Sequence, residues 1–407
     1  MNSNYYFSVN NKKWSIKAIE ERKVNKLIQD FQISDFLARL ICSRNINLDK
    51  AENFINPSLR TQLPSPLLLK DMDLAIDRIS QAFINNEKIA IFGDYDVDGA
   101  TSSAVLYKSF KLFGNEPSIY IPDRIKEGYG PNIDALKMLK DKGVDLVVTV
   151  DCGMTAFKEL DYAKDISLDI IVVDHHAPDA KLPSAIAVIN PNRIDDKTGL
   201  GMLAAVGVSF MLVGALKTKL VEINVINENN IPSLSFLLDL VALGTICDVV
   251  PLIGANRALV KQGLRVMSKR QNKGINALFE VSEIEDIPSV FHAGFLLGPR
   301  INAGGRVGES SLGAKLLTTD SKSEAKEISY HLNGLNEERK QLEAEVLDQA
   351  KNLALSQESY EILVLSSKNW HPGVIGIVAS RIVELYNKPT IIISENGLNS
   401  KGSGRSI

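Results

Sequence analysis

Three aspartates stand at alternate positions directly after a short apolar run. Asp94, Asp96 and Asp98 belong to the stretch GDYDVDG, which follows the residues KIAIF. If the segment is extended, alternate side chains share one face and these carboxylates repel one another at close range. Bound divalent cations remove such repulsion, and carboxylate oxygens are ligands that these cations prefer. The spacing therefore indicates a cation site.

A calcium loop and a helix cap are two alternative interpretations, and each explains less of the aspartate pattern than a metal site does. An EF-hand calcium loop matches D-x-D-x-D-G with Gly99 in sixth place, but Val105 stands in twelfth place, where the loop needs a glutamate. Ordinary helix capping accounts for Asp98, which precedes Gly99, because a helix N-terminus favours an acidic residue. Capping leaves the remaining two aspartates uncompensated, so a bound metal accounts for more.

Further candidate ligands follow other predicted strands. Short apolar runs predict strands at 88–93, 117–122, 145–151 and 169–176. Helical spacing predicts helices at 73–86, 99–114, 132–143 and 156–165. Strands that alternate with single helices are typical of an α/β fold with a parallel, doubly wound sheet, whose ligand site lies at the carboxyl ends of the strands. Those ends carry the three aspartates, Asp151, Asp174, His175 and His176.

The types and number of these residues suit a pair of metal ions. The predicted ligands are Asp96, Asp98, Asp151, His175 and Asp248, with His176 as a further catalytic candidate and Asp94 and Asp174 in supporting positions. Carboxylates with imidazole favour Mn²⁺ or Mg²⁺ over structural Zn²⁺, which prefers thiolates. Two such ions about 3.5 to 4 Å apart, bridged here by Asp151, are typical of enzymes in which an activated water attacks a phosphoester in line.

The composition is that of a globular protein from a reducing compartment. Of 407 residues, 45% are hydrophobic and 23% are charged, and the formal net charge is -3. This charge argues against a uniformly basic, nucleic-acid-coating protein and leaves a local basic groove open. The three cysteines are too few and too far apart for a disulfide framework. With no visible secretory signal and no apolar run longer than 202–216, we expect a soluble cytoplasmic protein.

The length predicts two or three packed units. The expected division is a helical N-terminal extension at 1–70, a catalytic α/β domain at 71–255, a helical connector at 256–290 and a smaller α/β domain at 291–407. Buried helices are predicted at 202–216 and 236–252, and a long charged helix at 324–356. The chain stops within a predicted loop, KGSGRSI, so we expect its C-terminal sequence to be incomplete.

Four motifs in this order resemble the DHH phosphoesterase family, which is named for an Asp-His-His triplet. They are GDYDVDG at 93–99, VTVDCG at 148–153, VVDHHAP at 172–178 and GTICDVVPL at 244–252. The resemblance implies that the predicted ligands hold the metals and that His176 lies at the metals or at the scissile phosphate. Some family members have a histidine four residues before the first ligand, where this chain has Phe92.

Other stretches resemble one subgroup of that family, the single-strand-specific 5′ to 3′ exonucleases. These stretches are PDRIKEGYG, LNEERKQLE and GSGRS, while GPRINAGGRVG and HPGVIGIVASRIVE resemble the DHH-associated substrate-binding domain. The resemblance implies a metal-dependent nuclease of single-stranded DNA that acts in DNA repair and recombination. It also implies a monomer with single-strand-binding protein and a helicase as partners, and an oligonucleotide-binding fold that this sequence does not contain.

Several polar residues are predicted to contact the nucleic acid. By resemblance, Arg124 with Ser403 and Arg405 grips a 5′-terminal phosphate, and guanidinium groups bind phosphate oxygens bidentately. The composition of GPRINAGGRVG predicts a phosphate-cradling loop whose donors are Arg300, Asn302 and Arg306.

Three residues are open to two interpretations. His371 is either a hydrogen-bonded loop histidine or a contact to the nucleic-acid backbone, and its place before a Gly-rich helix entry favours the contact. Trp370 and Tyr129 either stack on bases or pack inside the protein.

Other functions stay open on the residues alone. The same chemistry serves pyrophosphatases and hydrolases of short oligonucleotides or cyclic dinucleotides, which usually lack the N-terminal extension and the stretches around Arg124 and Leu335. A metal-free binding module is the alternative from another class of protein, and the intact set of ligands argues against it.

Overall fold

The structure is a computed structural model of the chain, and it describes residues 5–9, 12–124, 126–357, 359–397 and 399–407. The chain forms two compact units. The smaller unit contains 1–64 together with 253–258, and the larger contains 65–252 together with 259–407. The larger unit thus includes residues 71–252 of the predicted catalytic domain and the whole predicted smaller α/β domain at 291–407. The predicted domain boundaries stay a prediction.

The smaller unit is a hairpin followed by short helices. Strands β1 (Tyr5–Phe7) and β2 (Lys13–Ser15) pair antiparallel. The helices are α1 (Glu21–Phe31), α2 (Asp35–Ser43), α3 (Leu48–Ile55) and α4 (Leu59–Gln62). The small apolar core consists of Val24, Leu27, Ala38, Ile41 and Ala51. The segment 253–258 is held by Arg257, whose guanidinium carbon lies 3.8 Å from the centre of the Phe54 ring.

The larger unit contains a five-stranded parallel sheet. Its strands are β3 (Ile89–Gly93), β4 (Ser118–Tyr120), β5 (Leu146–Val150), β6 (Asp169–Val173) and β7 (Ala187–Ile189). Their order is β4-β3-β5-β6-β7, and every neighbouring pair is parallel. The strand order reverses between β3 and β5, so the topological switch point lies there. A ligand site is expected outside the carboxyl ends of these two strands.

Helices cover both faces of this sheet, as right-handed crossovers require. They are α5 (Met72–Ile84), α6 (Val97–Phe113), α7 (Ile133–Asp141), α8 (Phe157–Asp165), α9 (Ala205–Glu222) and α10 (Leu238–Cys247). Leu136 of α7 and Leu160 of α8 share a buried cluster with Phe92 and Val147 of the sheet. Helices α6 and α9 pack against each other and against the sheet, and α10 packs on both of them.

The remaining elements are mostly helical and end in a second sheet. The helices are α11 (Gly254–Met267), α12 (Lys273–Val281), a π-helical turn (His292–Leu297), α13 (Gly298–Val307), α14 (Leu312–Thr318), α15 (Lys322–Leu355) and α16 (Ile375–Tyr386). The strands are β8 (Leu363–Ser367), β9 (Thr390–Ser394) and β10 (Lys401–Arg405). Short 3₁₀ turns occur at Pro66–Leu68, Glu228–Asn230 and Leu234–Leu237.

The second sheet has the order β10-β9-β8 and packs on helices α15 and α16. Strand β8 is parallel to β9, and β10 is antiparallel to it. Apolar residues of the C-terminal half of α15, including Val346 and Ala350, share a buried cluster with Val378 of α16 and with Leu363 and Ile392 of the strands. The long helix α15 therefore anchors this sheet to the rest of the larger unit.

The predicted fold class, α/β with a doubly wound parallel sheet, is confirmed. The four predicted strands at 88–93, 117–122, 145–151 and 169–176 are β3 to β6, and the predicted helices at 202–216 and 324–356 are α9 and α15. Strand β7 is not predicted from the sequence, because a run of three residues is too short to show alternation.

Two predicted loops are regular elements in the structure. GPRINAGGRVG forms α13, since Pro299 stands in the first turn, where its missing N–H is tolerated, and Ile301 is buried. Its glycines permit close packing, because a Cβ on Gly305 would lie 2.8 Å from the Tyr95 ring. The terminal KGSGR forms β10, because its backbone pairs with β9 along the whole strand.

In the described part of the chain, no helix combines the length and the apolar character needed to cross a membrane.

The first turn of α10 buries a carboxylate, Asp239. Burial is the main reason that its pKa rises to about 7, and the hydrogen bond from the backbone N–H of Leu240 offsets only part of this rise. The folded state therefore binds the proton more tightly than the unfolded chain. The resulting stability is fully present below pH about 4 and is lost as the pH rises through about 7.

We expect Asp239→Asn, which keeps the acceptor oxygen without the charge, to be more stable than the parent protein at alkaline pH. The difference should be smallest near pH 4 and should grow to the order of a few kcal/mol above pH about 7. Urea unfolding in EDTA across this range measures it. Asp73→Asn, at an exposed position in the first turn of α5, is the matched control. A difference that does not change with pH would contradict the prediction.

Candidate active site

Carboxylates converge at the switch point of the parallel sheet. Asp94 follows β3, Asp151 follows β5 and Asp174 follows β6, and all three are almost completely buried. Asp151 has a left-handed backbone conformation, with φ of 60°, which turns the chain sharply at the end of β5. The ends of neighbouring strands thus bring together side chains that are far apart in the sequence.

The N-terminus of α6 holds two further aspartates. Asp96 is the N-cap residue and accepts a hydrogen bond from the backbone N–H of Gly99 at 3.0 Å. Asp98 lies inside the first turn and accepts from the N–H groups of Ala205 and Val206 at 2.7 and 2.9 Å. The helix cap is therefore Asp96 and not Asp98. Because Ala205 and Val206 begin α9, the Asp98 carboxylate is fixed between the N-termini of two helices.

Asp174 orients the two histidines that follow it. Its carboxylate accepts hydrogen bonds from the backbone N–H groups of Met154, His175 and His176, and from Nδ1 of His176 at 2.7 Å. Burial by itself would raise the pKa of Asp174, but these bonds, and that from the His176 ring above all, lower it. The same bond raises the pKa of His176. Asp174 is thus saturated with donors.

The Nε2 atom of His175 faces three carboxylates. It lies 3.4 Å from Oδ1 of Asp151, 3.6 Å from Oδ2 of Asp248 and 3.8 Å from Oδ2 of Asp98. Burial lowers the pKa of His175, which favours the neutral ring that coordinates metals. Donor atoms that share one ion lie about 3 to 4 Å apart when each bond is about 2.1 Å long. These separations therefore have the spacing of a coordination site.

Three overlapping groups of side chains have ligand atoms within 4.8 Å of one another. The groups are Asp94 with Asp96 and Asp151, Asp98 with His175 and Asp248, and Asp151 with His175 and His176. Asp151 and His175 each belong to two groups. The structure thus brings together every predicted ligand, and it also places Asp94 and His176 at ligand distance.

Unpartnered polar atoms test whether these residues fit a metal. Oδ1 of Asp94, Oδ1 of Asp151, Nε2 of His175 and Oδ2 of Asp248 are buried and have no hydrogen-bond partner among the described residues. Such atoms cost free energy unless something compensates them. Burial, followed by the charge of Asp96, raises the pKa of Asp94 to about 8 and that of Asp248 to about 7. Divalent cations held by the groups described above would compensate these atoms, so the residues fit a metal site.

A basic cleft of about 560 Å³ lies between this cluster and the second sheet. Among the described residues that line it, the predicted contacts are Arg124, Arg306, Ser403 and Arg405. Arg381 and Lys401 add positive charge, and the carboxylate of Glu384 is 3.4 Å from Arg381. The cleft is therefore suited to an anionic ligand.

Strand β10 and the N-terminus of α16 form one wall of the cleft. Ser403 and Arg405 alternate on β10 and so share a face, and Nη1 of Arg405 donates to Oγ of Ser403 at 3.2 Å. Gly376 lies in the first turn of α16, where a Cβ would come within 3.2 Å of Oγ of Ser403. The glycine thus lets the strand approach the end of a helix whose first N–H groups attract anions.

Tyr95 joins the metal cluster to the cleft, and sequence reasoning missed it. Its ring centre lies 4.7 Å from the guanidinium carbon of Arg124, and the residue also packs on Gly305 of α13. Burial, followed by the charge of Asp94, raises the pKa of Tyr95 to about 12, so its hydroxyl stays protonated. The sequence feature that could have identified Tyr95 is its position between two candidate ligands in GDYDVDG.

Two other cleft residues, Arg381 and Lys401, were also missed. Arg381 lines the cleft with Ile377, Ser380 and Glu384, at the spacing of one face of α16. That spacing, directly after the Gly-rich motif, is the signal that could have identified Arg381. Lys401 carries no comparable signal.

Four other residues predicted as contacts are not among the described residues that line the cleft, namely Arg300, Asn302, Trp370 and His371. Arg300 is held by Asn333 at 3.0 Å and by the carbonyl of Leu296 at 2.7 Å, and Asn302 lies on the same helix, α13. Nδ1 of His371 accepts a hydrogen bond from the N–H of Gly373, which is the loop-histidine interpretation. Trp370 is buried and donates to Gln349, so it packs inside the protein. Tyr129 is half exposed and lines the cleft.

Comparison with known proteins places this geometry in a family. The model described as "DHH family, N-terminal domain" matches residues 88–245. A crystal structure of exonuclease RecJ bound to manganese is similar with a TM-score of 0.74 and 34% identity, over 85% of this chain and 84% of that chain. The chain belongs to the RecJ family of DHH proteins.

RecJ proteins of several bacteria are similar to almost the whole chain. The single-stranded-DNA-specific exonuclease RecJ of Bacillus subtilis is 35% identical over 97% of this chain and 49% of its own length. The one of Escherichia coli is 37% identical over 92% of this chain and 66% of its own length. A RecJ structure from Thermus thermophilus with Mn²⁺ has a TM-score of 0.81, over 96% of this chain and 55% of that one. The chain thus spans about half the length of the Bacillus relative.

Two aspartates of this RecJ-family site should respond oppositely to substitution when metal is removed. Asp248→Asn should stabilise the protein in EDTA by roughly 1 kcal/mol, because it removes an unpartnered carboxylate from the C-terminal end of α10. Asp98→Ala should destabilise it by about 2 to 4 kcal/mol, because two buried N–H groups of α9 lose their acceptor. Urea unfolding in EDTA at pH about 8 measures both. Equal destabilisation by the two variants would refute this account of the cluster.

Proposed function

We propose that the chain is a metal-dependent exonuclease that removes nucleotides from the 5′ end of single-stranded DNA. The observation that carries this proposal is the cluster of unpartnered, buried ligand atoms directly beside a basic cleft. A metal cluster alone serves many hydrolases, and a basic cleft alone serves many anions. Their adjacency through Tyr95 and Arg124 supports a reaction at a phosphodiester. The likeness to RecJ proteins named as single-stranded-DNA-specific supports the substrate.

The proposed metal ligands are Asp96, Asp98, Asp151, His175 and Asp248, with Asp94 at ligand distance. Mn²⁺ or Mg²⁺, when bound, supplies Lewis-acid activation of water and of the phosphoryl oxygens. Asp151 belongs to two of the three groups, so its carboxylate would contribute to holding metal in either of them. Two backbone N–H groups of α9 hold the Asp98 carboxylate, so its side chain is already fixed in one rotamer at the site. Asp174 fixes the His176 ring through Nδ1, which leaves Nε2 to meet the scissile phosphate.

The cleft is proposed to hold the terminal phosphate of the strand. Arg124, Arg306 and Arg405 offer guanidinium donors, Ser403 offers a hydroxyl, and α16 offers its first N–H groups. The Tyr95 ring packs against the Arg124 guanidinium and so holds this donor at the wall of the cleft. If the cleft holds the 5′ end of the strand and the metal cluster holds the scissile phosphate, digestion would proceed from the 5′ end only.

The wider roles and properties expected from the sequence stay predictions for this chain. They are action in repair and recombination, a monomeric state, the cytoplasm, and single-strand-binding protein and a helicase as partners. The same holds for the domain boundaries at 70, 255 and 290.

Digestion of end-labelled DNA tests the proposed function. With Mn²⁺ or Mg²⁺ the chain should release nucleotides from the 5′ end of single strands and leave duplexes intact, and EDTA should stop the reaction. Asp151→Asn should lower the rate roughly a thousandfold or more, because the shared ligand of two groups is lost. Asp73→Asn is the control for an exposed aspartate. Release from the 3′ end, equal attack on duplex, or full activity of Asp151→Asn would overturn the proposal.

The terminal phosphate should matter through Arg405. We expect the parent protein to have a lower KM for 5′-phosphorylated than for 5′-hydroxyl oligonucleotides. Arg405→Ala should reduce this preference roughly tenfold or more, because a charge-assisted hydrogen bond is lost, and should leave KM for 5′-hydroxyl substrates nearly unchanged. Arg22→Ala, an exposed arginine of α1, is the control. An unchanged preference in Arg405→Ala would show that the phosphate binds elsewhere.

A further inference from the structure

Two phenylalanines at the start of the helical run that leads into α13 are exposed and stacked on each other. Phe291 and Phe295 are 58% and 70% exposed, their ring centres are 5.3 Å apart, and their planes differ by 23°. Neither ring contributes to the core, so burial does not account for them. A pair of exposed aromatic faces is, however, the usual platform on which proteins stack the bases of single-stranded nucleic acid.

The pair lies on a helical run that continues into the cleft. The π-helical turn His292–Leu297 leads without interruption into α13. One face of this run is buried, and it carries Ala293, Leu297, Ile301 and Gly305. The opposite face carries Phe291, Phe295, Asn302 and Arg306. Phe291 and Phe295 are four residues apart and so lie on the same helix face. The π-helical turn that they adjoin is of a kind that is frequent at functional sites.

This helical run packs on residues that are next to proposed metal ligands in the sequence. Near its start, Gly294 and Gly298 pack on Ile246 and Cys247, which directly precede Asp248. Near its end, Gly305 packs on Tyr95, which stands between Asp94 and Asp96. Arg306 then enters the cleft. The phenylalanines and the cleft therefore lie at opposite ends of this helical run, and the segments that carry Asp248, Asp94 and Asp96 pack against the run between them.

We propose that Phe291 and Phe295 form a base-stacking platform for the part of the strand on the 3′ side of the scissile phosphate. The proposal rests on the proposed function, which places the 5′ end in the cleft. From Arg306 to Phe295 the helix rises about 16 Å at 1.5 Å per residue. Stacked bases rise about 3.4 Å each, so this length corresponds to about five nucleotides. Asn302, midway on the same face, offers its amide to the intervening backbone.

Oligonucleotides with single abasic positions test the platform. The substrates are 5′-phosphorylated single strands, each lacking one base, and the measured quantities are KM and kcat for release of the first nucleotide with Mn²⁺. For the parent protein, loss of a base that stacks on the pair should raise KM about tenfold over that of the intact strand. We expect one or two such positions, within about five nucleotides of the 5′ end. The double variant Phe291→Ala with Phe295→Ala should have this higher KM on intact strands, no further rise on any abasic strand, and an unchanged kcat.

Control variants separate stacking from other effects. Phe291→Tyr with Phe295→Tyr should restore the parent KM and the abasic profile, because the aromatic faces are kept. Tyr360→Ala, which removes a similarly exposed aromatic residue outside the site, should behave as the parent protein. Because both phenylalanines are exposed, the melting temperature of the alanine variant should change little.

Each alternative outcome is distinguishable. An alanine variant that keeps the parent KM and abasic profile would overturn the platform and leave the proposed function standing. A KM that rises equally on strands too short to reach the pair would assign it a structural role and overturn the platform. An unchanged KM with altered self-association in sedimentation would assign the pair to a contact between copies. If the parent protein itself digests no single strand, the proposed function fails, and the platform fails with it.

Discussion

The structure depends on how it tolerates several buried carboxylates in one small volume. Each of them is charged in water, and each loses solvation at the switch point of the parallel sheet. The fold compensates them unequally. Asp174 receives backbone and imidazole donors, and Asp98 receives the first N–H groups of α9. Asp151 and Asp248 keep oxygens with no hydrogen-bond partner among the described residues. Asp174 is therefore a positioning residue, Asp98 is a proposed ligand that α9 holds in place, and the unpartnered oxygens of Asp151 and Asp248 are available to bind a cation.

Helix N-termini stabilise negative charge at several places in the molecule. The start of α6 carries Asp96 as its cap, and the start of α9 holds the carboxylate of Asp98. The start of α16 lies on the cleft beside Ser403 and Arg405. The same arrangement of unpaired N–H groups thus holds protein carboxylates at the metal cluster and suits a phosphate in the cleft. The metal cluster and the cleft are adjacent, because Tyr95 stands between Asp94 and Asp96 in the chain, lines the cleft and contacts Arg124 there.

The segment GPRINAGGRVG shows how composition can suggest the wrong structure and still point to the right place. Glycines beside arginines are typical of loops that wrap phosphates. Here the glycines let α13 pack closely on Tyr95 and on Leu332, and the segment is helical. Helical spacing then separates its polar residues. Arg306 reaches the cleft, whereas Arg300 turns toward Asn333 of α15.

The alternation of strands and helices, the residue types of the metal ligands and the family are all recognisable in the sequence. These follow from local periodicity and from short motifs, which depend on neighbouring residues only. Tertiary structure alone decided that Asp98 is held by α9 and that Arg300, Asn302 and His371 lie outside the cleft lining. It also decided that Tyr95 and Arg381 belong there and that KGSGR is a strand. Each of these facts is a contact between segments distant in sequence, and such contacts exist only once the sheet order and the packing of helices are set.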